Sequence, residues 1–414
     1  MLNINIYLSS NMTKKKIIFL RSFYFDSLLF EKLDFQKYID SKKIETEFWR
    51  SNNNIKISDF KVEEIFQKRL SKENELGDKL KKFSNFWELF KLVKTTSKDC
   101  FIYDIDYLNR GPFFSLLLKL FGAHLVFHGH SNFPIIKIEK KDIKQKIKRI
   151  PAKQYLFFFL KFIRFFLKKI LNRLLKPKLD IFFYNGEYEK LLSKKISKKG
   201  ISLFTRDYEQ YLIELKNNSQ RLVNEEYILF LDQSYPIPFD NYFTNEDPVT
   251  TEEKYKNAIL NFFHSLEKLY NKKIIVALHP NSRREKFFNY ESYKGYTNHL
   301  VRYSSFVIGH DSLSLQFVAL WKKPCLLIYN QDMIDRLTKK KELDWFKDNM
   351  NLKTLNIDKF NNQEIISKLS VIESNFNKNR YDNFIHKFLR EKNNNSEHVE
   401  FKAQLIIDKI INHH

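Results

Sequence analysis

Two short, uninterrupted apolar runs, each followed at once by polar residues, constrain the fold of this chain more than any other feature. The first is Ile274–Leu278, within KKIIVALHPNSRRE, and the second is Phe306–Ile308, within LVRYSSFVIGHDSLSLQFVALWKKPCLLI. Apolar runs of this length are typical of strands buried on both faces of a parallel sheet. Ligands of open parallel sheets bind beyond the carboxyl ends of the strands, so the polar turns that follow are candidate parts of a ligand site.

The same alternation of strands and helices extends along most of the 414 residues, which is too long for one ordinary domain. It predicts an α/β protein with two Rossmann-like, doubly wound domains facing a cleft. We expect an N-terminal acceptor- and membrane-side domain over 12–205 and a C-terminal donor domain over 226–375. Helices in 376–414 are expected to pack across both domains, and the charged stretch 207–225 to connect them.

The two cysteines and the N-terminal residues indicate in which cellular compartment the protein is expected. Cys100 and Cys325 are isolated, which argues against a disulfide framework and against a zinc site. The first twenty residues lack the pattern of a secretory signal. We therefore expect a cytoplasmic protein.

The positive charge is strongly clustered and indicates an anionic partner. The chain has a net charge of +23, and residues 135–178 contain 15 Lys and Arg against two acidic residues. Such a block is typical of contact with nucleic acid or with a membrane surface. No nucleic-acid-binding motif is present and the basic residues alternate with Phe at helical spacing, so we expect no nucleic-acid partner.

Within this block, residues 152–175 read AKQYLFFFLKFIRFFLKKILNRLL, which is a basic amphipathic helix pattern. Its longest uncharged run is far shorter than the roughly 20 residues needed to span a bilayer. A helix with Phe and Leu on one side and Lys and Arg on the other suits an anionic membrane interface. The segment thus predicts peripheral attachment to the inner membrane. The alternative is an ordinary outer helix of the first domain, with its basic face in water.

The turn after the second run carries two hydroxyls at the expected start of a helix over 312–321. Ser312 is placed to cap that helix, and Ser314 adds a hydroxyl in its first turn, where backbone N–H groups attract anions. We expect the strand of the first run to lie next to that of the second run. His279 at its end, with Arg283 or Arg284, can donate to phosphate oxygens. Together these residues predict a cradle for a nucleotide phosphate that needs no metal. The alternative is that Ser312 is only a cap and His279 only a histidine at a strand end.

The order strand, His-Pro, strand, Ser-x-Ser, helix, Lys-Pro, strand resembles the nucleotide-binding half of GT-B glycosyltransferases. It is most similar to sialyltransferase-like and Kdo-transferase-like enzymes of bacterial capsule and lipopolysaccharide biosynthesis, over about residues 227–330. By this resemblance His279, Pro280, Ser312 and Ser314 bind the phosphate and ribose of the donor. The resemblance implies a metal-independent transferase whose co-substrate is a nucleotide-sugar, with a CMP-linked acidic sugar first, and whose acceptor is a glycan or lipid-linked glycan. No other cofactor is implied.

Two alternatives to this activity remain open at the level of sequence. CDP-glycerol polyol-phosphate transferases share the outline, although this chain has Gly309-His310-Asp311 where those enzymes tend to have Thr-Asp-Tyr. A non-catalytic, membrane-bound polysaccharide assembly protein is the other alternative.

Four further residues are candidates for sugar contact and proton transfer. Asp232 and Gln233 end the strand that begins at Tyr227, and we expect them to contact donor or acceptor sugar; the alternative is an Asx turn. Asp106 is our first candidate for the general base and His130 the second, since both follow predicted strands of the first domain. The acidic signature of the sialyltransferases is absent from the chain. The His-x-His pair that ends in His130 lacks a third metal ligand by spacing, so we predict no metal site.

Overall fold

The computed structural model describes most of the second predicted α/β unit and parts of the first. The described residues are 16–21, 44–51, 77–95, 100–104, 112–129, 163, 170–171, 174–217, 220–237, 247–280, 282, 284–374, 378–393 and 402–412.

The first sheet has seven parallel strands. They are β1 (Lys16–Arg21), β2 (Glu45–Ser51), β3 (Leu80–Phe83), β4 (Cys100–Asp104), β5 (His124–His128), β6 (Leu179–Tyr184) and β7 (Ser197–Ser202), in the order β3-β2-β1-β4-β5-β6-β7. Side chains alternate between two buried layers: Ile17 and Phe19 pack on one face, and Ile18 and Leu20 on the other. Burial on both faces explains why these strands are continuous apolar runs.

The second sheet has six parallel strands and the same winding. They are β8 (Tyr227–Leu231), β9 (Lys273–Leu278), β10 (Ser292–Lys294), β11 (Phe306–Gly309), β12 (Cys325–Tyr329) and β13 (Lys353–Asn356), in the order β10-β9-β8-β11-β12-β13. Leu229 and Leu231 face one core, and Ile228 and Phe230 face the other. Two doubly wound, Rossmann-like α/β units are therefore present, and the predicted fold class is confirmed.

Helices cover the faces of both sheets. In chain order the described helices are α1 (Phe86–Thr95), α2 (Pro112–Leu120), α3 (Glu187–Ile196), α4 (Arg206–Lys216), α5 (Glu252–Tyr270), α6 (Thr297–Tyr303), α7 (Leu315–Leu320), α8 (Gln331–Asp335), α9 (Leu337–Met350), α10 (Asn362–Ser374), α11 (Lys378–Phe384) and α12 (Lys402–Ile411). No helix among these described residues is both long and apolar enough to cross a lipid bilayer.

The charged stretch 207–225, expected to be a connection, contains most of helix α4. The hydroxyl of Thr205 caps this helix by accepting from the N–H of Tyr208, and Tyr208 is buried in the core of the second sheet. Tyr211 and Leu212 pack beside it at helical spacing. The helix was missed because its many charged residues were interpreted as a solvated connection.

The end of the chain returns to the first sheet. After α11, a π-helical turn over Ile385–Leu389 lies against α3, and the Tyr184 hydroxyl donates to Glu391 at 2.9 Å. Helix α12 then buries Ile406, Ile407 and Ile410 in the core beneath β1, β2 and β4. One C-terminal segment thus packs against elements of both units.

Candidate functional site

The strand order of the second sheet reverses between β8 and β11. The chain moves from β8 outwards to β10 and then returns to β11, so the loops after β8 and β11 leave in opposite directions. Ligands of doubly wound sheets bind at such a switch point, outside the carboxyl ends of the strands. Asp232 and Gln233 follow β8, and Ser312 and Ser314 follow β11, so four of the predicted site residues lie at this point.

Asp232 is buried, and both of its carboxylate oxygens face backbone donors. The N–H of Ser234 donates to Oδ1 at 2.8 Å, and the N–H of His279 donates to Oδ2 at 3.4 Å. Burial raises the pKa of Asp232, and these two hydrogen bonds oppose the rise. The first contact is the Asx turn considered above, and the second fixes the end of β9 to the end of β8.

Gln233 joins the two loops at the switch point. Its half-buried side chain donates from Nε2 to the backbone carbonyl of Asp311 at 3.3 Å. The second N–H of the same amide group and its oxygen are further polar groups at this edge. Gln233 therefore holds the β8 and β11 turns together and presents an amide where a ligand is expected.

His279 is half-buried at the end of β9, and Pro280 after it is exposed. A tight turn follows, in which the N–H of Ser282 donates to the carbonyl of His279 at 2.8 Å. The sequence suggested that the strands before His279 and Ser312 are neighbours, which is wrong. Strand β8 lies between them because the chain doubles back, so their strand axes are roughly 10 Å apart.

The hydroxyl turn after β11 differs from the predicted helix start. Helix α7 begins at Leu315 rather than at Ser312, and its first turn is formed by i→i+3 bonds such as Leu315 N–H to the Ser312 carbonyl at 3.1 Å. The buried hydroxyl of Ser312 accepts from the N–H of Ser314 at 3.2 Å. Ser312 thus stabilises the turn, whereas Ser314 is half-buried and makes no capping bond with its own side chain.

A buried hydrogen-bond network beneath this turn was not assigned a role from sequence. The His310 Nδ1–H donates to the carbonyl of Ile328 at 2.8 Å, and the Tyr255 hydroxyl donates to Nε2 at 2.9 Å. Burial lowers the pKa of His310 to about 4, so this imidazole is neutral at ordinary pH. His310 therefore connects β11, β12 and α5 as part of the core.

Asp311, next to it, is also buried and is bound from three sides. The Tyr235 hydroxyl donates to Oδ1 at 2.7 Å, and Lys339 donates to Oδ2 at 3.1 Å and to Glu342 at 2.8 Å. Burial alone would raise the pKa of Asp311, but the Lys339 charge and the hydrogen bonds with Glu342 and Tyr235 together outweigh it, and the pKa falls. Burial and the hydrogen bond with Asp311 raise the pKa of Glu342 to about 7. No local sequence pattern indicates the contact between Lys339 and Asp311, which are 28 positions apart.

The remaining predicted site residues are Asp106, His130 and Arg283, and all three lie outside the described residues. Asp106 and His130 each come two residues after the end of a strand, and both of these strand ends are buried. Asp104 ends β4, and His128 ends β5 with its Nε2 3.4 Å from Oδ1 of Asn185. Within the described ranges, no group of three or more His, Cys, Asp or Glu side chains is arranged to hold a metal ion.

A cavity of about 750 Å³ lies farther along the carboxyl edge of the second sheet. It is bounded by Lys254, Asn257, Ala258 and Asn261 of α5, by Gln331, and by 356–360 at the end of β13 and just beyond it. Asp232, Gln233, His279, Ser312 and Ser314 do not line it.

Solved structures with a similar overall arrangement include proteins that act on sugars. The glycotransferase of kitacinnamycin aligns over 96% of this chain and 98% of its own, with 8% identity and a TM-score of 0.48. MurG of Acinetobacter baumannii aligns over 96% of this chain and 99% of its own, with 6% identity and a TM-score of 0.47. The UDP-GlcNAc 2-epimerase of Methanocaldococcus jannaschii, solved with UDP-GlcNAc and UDP, aligns over 95% of this chain and 98% of its own. The identity is 14% and the TM-score is 0.44.

At such identities and TM-scores these similarities assign neither an activity nor a residue role to this chain. No protein-family model matches the sequence, and no curated protein is significantly similar to it.

Proposed function

We propose that this protein is a glycosyltransferase that moves a sugar from a nucleotide-activated donor to a growing bacterial surface glycan. The observation that carries this proposal is the convergence of Asp232, Gln233, Ser312 and Ser314 at the β8–β11 switch point, with His279 one strand away. The switch point of a doubly wound sheet is where this fold binds nucleotides.

The chemistry proposed is direct displacement at the anomeric carbon. An acceptor hydroxyl forms the new C–O bond, the bond from the anomeric carbon to the donor phosphate breaks, and the nucleotide leaves with the electron pair. His279, Ser314 and the Gln233 amide are placed to donate hydrogen bonds to that developing negative charge. The acceptor proton passes to a general base of the first unit, for which Asp106 and His130 remain our candidates.

We further propose that no metal takes part. Treatment with a chelator should leave transfer unchanged. A loss of activity that Mg²⁺ or Mn²⁺ restores would contradict this part of the proposal.

The donor proposed first is a CMP-linked acidic sugar, on the strength of the sequence resemblance. The acceptor proposed is a glycan or lipid-linked glycan at the cytoplasmic face of the inner membrane. Residues 152–175 would attach the enzyme there through the interface. Of the apolar positions of this segment that the structure describes, Ile163, Ile170 and Leu174 are exposed, and Leu171 and Leu175 are half-buried. The exposed side supports contact with a membrane interface.

A thermal-shift screen of the whole protein with CMP, UDP, GDP and CDP tests the proposed donor class. Nucleotide binding to the native state raises the Tm, and we expect the largest rise with CMP. The matching nucleotide-sugars are then assayed for release of nucleotide in the presence of a lipid-linked glycan. A rise with CDP without sugar transfer would favour the polyol-phosphate transferase. No rise with any nucleotide would favour an assembly protein and contradict the proposal.

A further inference from the structure

The cavity between α5 and the end of β13 is not part of the site described so far. One wall is a stripe of α5, in which Lys254, Asn257 and Asn261 follow one another at helical spacing and therefore face the same way. The opposite wall is the segment 356–360, which leads from β13 towards α10. The volume of about 750 Å³ is that of a small-molecule site, for which roughly 300–1,000 Å³ is usual.

Neutral amides provide most of the hydrogen-bonding groups of this cavity. Asn257 and Asn261 lie one turn apart on α5, and within the described part of the chain neither side chain has a hydrogen-bond partner. In a third amide, Asn356, Oδ1 accepts from the N–H of Asp358 at 2.9 Å, so its NH₂ group is the part that can meet a ligand. An amide both donates and accepts, and so do neighbouring hydroxyls of a sugar ring.

The floor of the cavity is apolar. Ile357 is buried and Ala258 is half-buried. Phe360 is half-buried, and its ring meets Phe262 edge-on at a centroid distance of 5.5 Å, which fixes its position. An apolar floor beneath a rim of amides suits a ligand with C–H groups on one face and hydroxyls along its edge. A pyranose ring has that distribution of groups.

The charges of the lining favour a neutral ligand over a phosphate or an acidic sugar. The Lys254 ammonium lies 2.8 Å from each carboxylate oxygen of Asp332, so its charge is already compensated. The Asp358 carboxylate belongs to the lining and accepts from the N–H of Gln331 at 2.7 Å. Lys359 is the remaining cation among the lining residues, and it is exposed. An anion is normally bound by several converging positive or N–H groups.

The cavity lies at the same sheet edge as the switch point. Strand β12 separates β11 from β13, so the wall beyond β13 is two strands from the β11 turn, roughly 10 Å. Helix α5 contributes to both places, because Tyr255 on its inner side is hydrogen-bonded to His310. A glycan of a few sugar units spans such a distance.

We propose that this cavity is a glycan-binding subsite, which holds a neutral sugar unit of the growing chain beside the donor site. Asn257 and Asn261 bind hydroxyls of that unit, and Phe360 contacts its C–H face. The assignment of the sugar to a growing chain rests on the proposed function, whereas the binding of a neutral sugar does not.

Sugar binding by the full chain tests the proposal. The probes are the neutral trisaccharides maltotriose, cellotriose, mannotriose and chitotriose, with trigalacturonate as the acidic comparison. Saturation-transfer NMR detects contact, and calorimetric titration measures the affinity. We expect at least one neutral trisaccharide to bind, and trigalacturonate to bind more weakly. No binding of any neutral trisaccharide, or tighter binding of trigalacturonate, would overturn the proposal.

A double variant locates the bound sugar. Asn257→Ala with Asn261→Ala should weaken its binding about tenfold or more, because two hydrogen-bonding amides are lost. Ala is a better helix former than Asn, so the variant should fold. The matched control is Lys256→Ala with His264→Ala, exposed on the same helix and outside the cavity lining. The control should bind the sugar like the wild type, and equal binding by the Asn257, Asn261 variant would contradict the proposal.

Competition separates this subsite from the donor site. The nucleotide that gives the largest thermal shift should not displace the trisaccharide, and its own affinity should be unchanged in the Asn257→Ala, Asn261→Ala variant. Displacement by the nucleotide would place the sugar at the switch point and overturn the subsite. A protein that binds a nucleotide but no neutral sugar would lack the subsite and keep the proposed activity. A protein that binds the sugar but no nucleotide would keep the subsite and contradict the proposed function.

Discussion

At the scale of single residues, the switch point contains side chains with two kinds of role. The side-chain oxygens of Asp232 and Ser312 accept hydrogen bonds from backbone N–H groups, so these residues stabilise the turns. His279 and Ser314 are half-buried at the same edge and are better placed to meet a ligand. The donor contacts should therefore depend more on His279 and Ser314 than on the two buried residues.

Replacing His279 by Ala should lower donor affinity by about tenfold to a hundredfold, since a hydrogen bond to a charged group is worth about 1.5–3 kcal/mol. Titration calorimetry with the preferred nucleotide measures the change. His264→Ala, on the exposed side of α5, is the matched control and should bind normally. Equal affinities in both variants would remove His279 from the site.

As the pH rises, Glu342 should lower the free energy of unfolding, and His310 should raise it. The pKa of Glu342 is raised, so its contribution is fully present below about pH 4.5 and is lost as the pH rises through about 7. The pKa of His310 is depressed, so its contribution is present above about 6.5 and is lost as the pH falls towards 4. Around neutral pH, the wild type should thus lose stability on the alkaline side through Glu342.

Glu342→Gln should flatten the decline in stability between about pH 5 and pH 8, by on the order of 1–3 kcal/mol. Urea unfolding midpoints at four pH values measure it, with Glu364→Gln on α10 as the control. A decline of unchanged slope in Glu342→Gln would show that the carboxyl group of Glu342 does not titrate there.

At the scale of elements, helix α9 is tied to the β11 turn by the half-buried ammonium group of Lys339. Lys339 bridges Asp311 and Glu342, and Asp311 in turn accepts from Tyr235 after β8. The position of the switch-point turns therefore depends on a side chain of α9.

Lys339→Met should destabilise the protein by about 3 kcal/mol, because it leaves Asp311 buried without its cation. It should also weaken nucleotide binding through the displaced turn. Lys340→Met, exposed on the same helix, is the control for both measurements. Thermal unfolding and calorimetry together check this, and unchanged nucleotide affinity would mean that α9 supports stability without positioning the turn.

The elements also show what the sequence revealed and what it did not. Buried strands such as β8 and β9 are continuous apolar runs, and the 3.6-residue period of α5 marks its whole length, so both were predicted. Strand β7 (SKKGIS) and strand β10 (SYK) lie at sheet edges, where polar residues face solvent and no apolar run exists. Strand order is set by long-range pairing, so the placement of β8 between β9 and β11 was not readable from local pattern.

At the scale of the whole molecule, the C-terminal segment couples the two units. The turn over Ile385–Leu389 packs beside α3, and α12 completes the core of the first sheet more than 190 residues after the last strand of that sheet. The stability of the first unit therefore depends on the end of the chain.

Ile407→Ala should cost about 2–4 kcal/mol, the range for truncating a fully buried Ile, and should lower the Tm. Lys409→Ala, exposed on the same helix, should be nearly neutral. Calorimetric scans of both variants decide the matter. Similar Tm values for the two would mean that α12 is not an integral part of the first core.

The central claim, that an anionic nucleotide binds at the β8–β11 switch point, is tested most directly by placing a negative charge there. Calorimetric titration of the nucleotide that gives the largest thermal shift is carried out on Ser314→Asp, with Ser265→Asp on α5 as the control. Charge repulsion in a partly buried site should abolish binding in Ser314→Asp and leave the control unaffected. Binding of wild-type strength by Ser314→Asp would contradict the account.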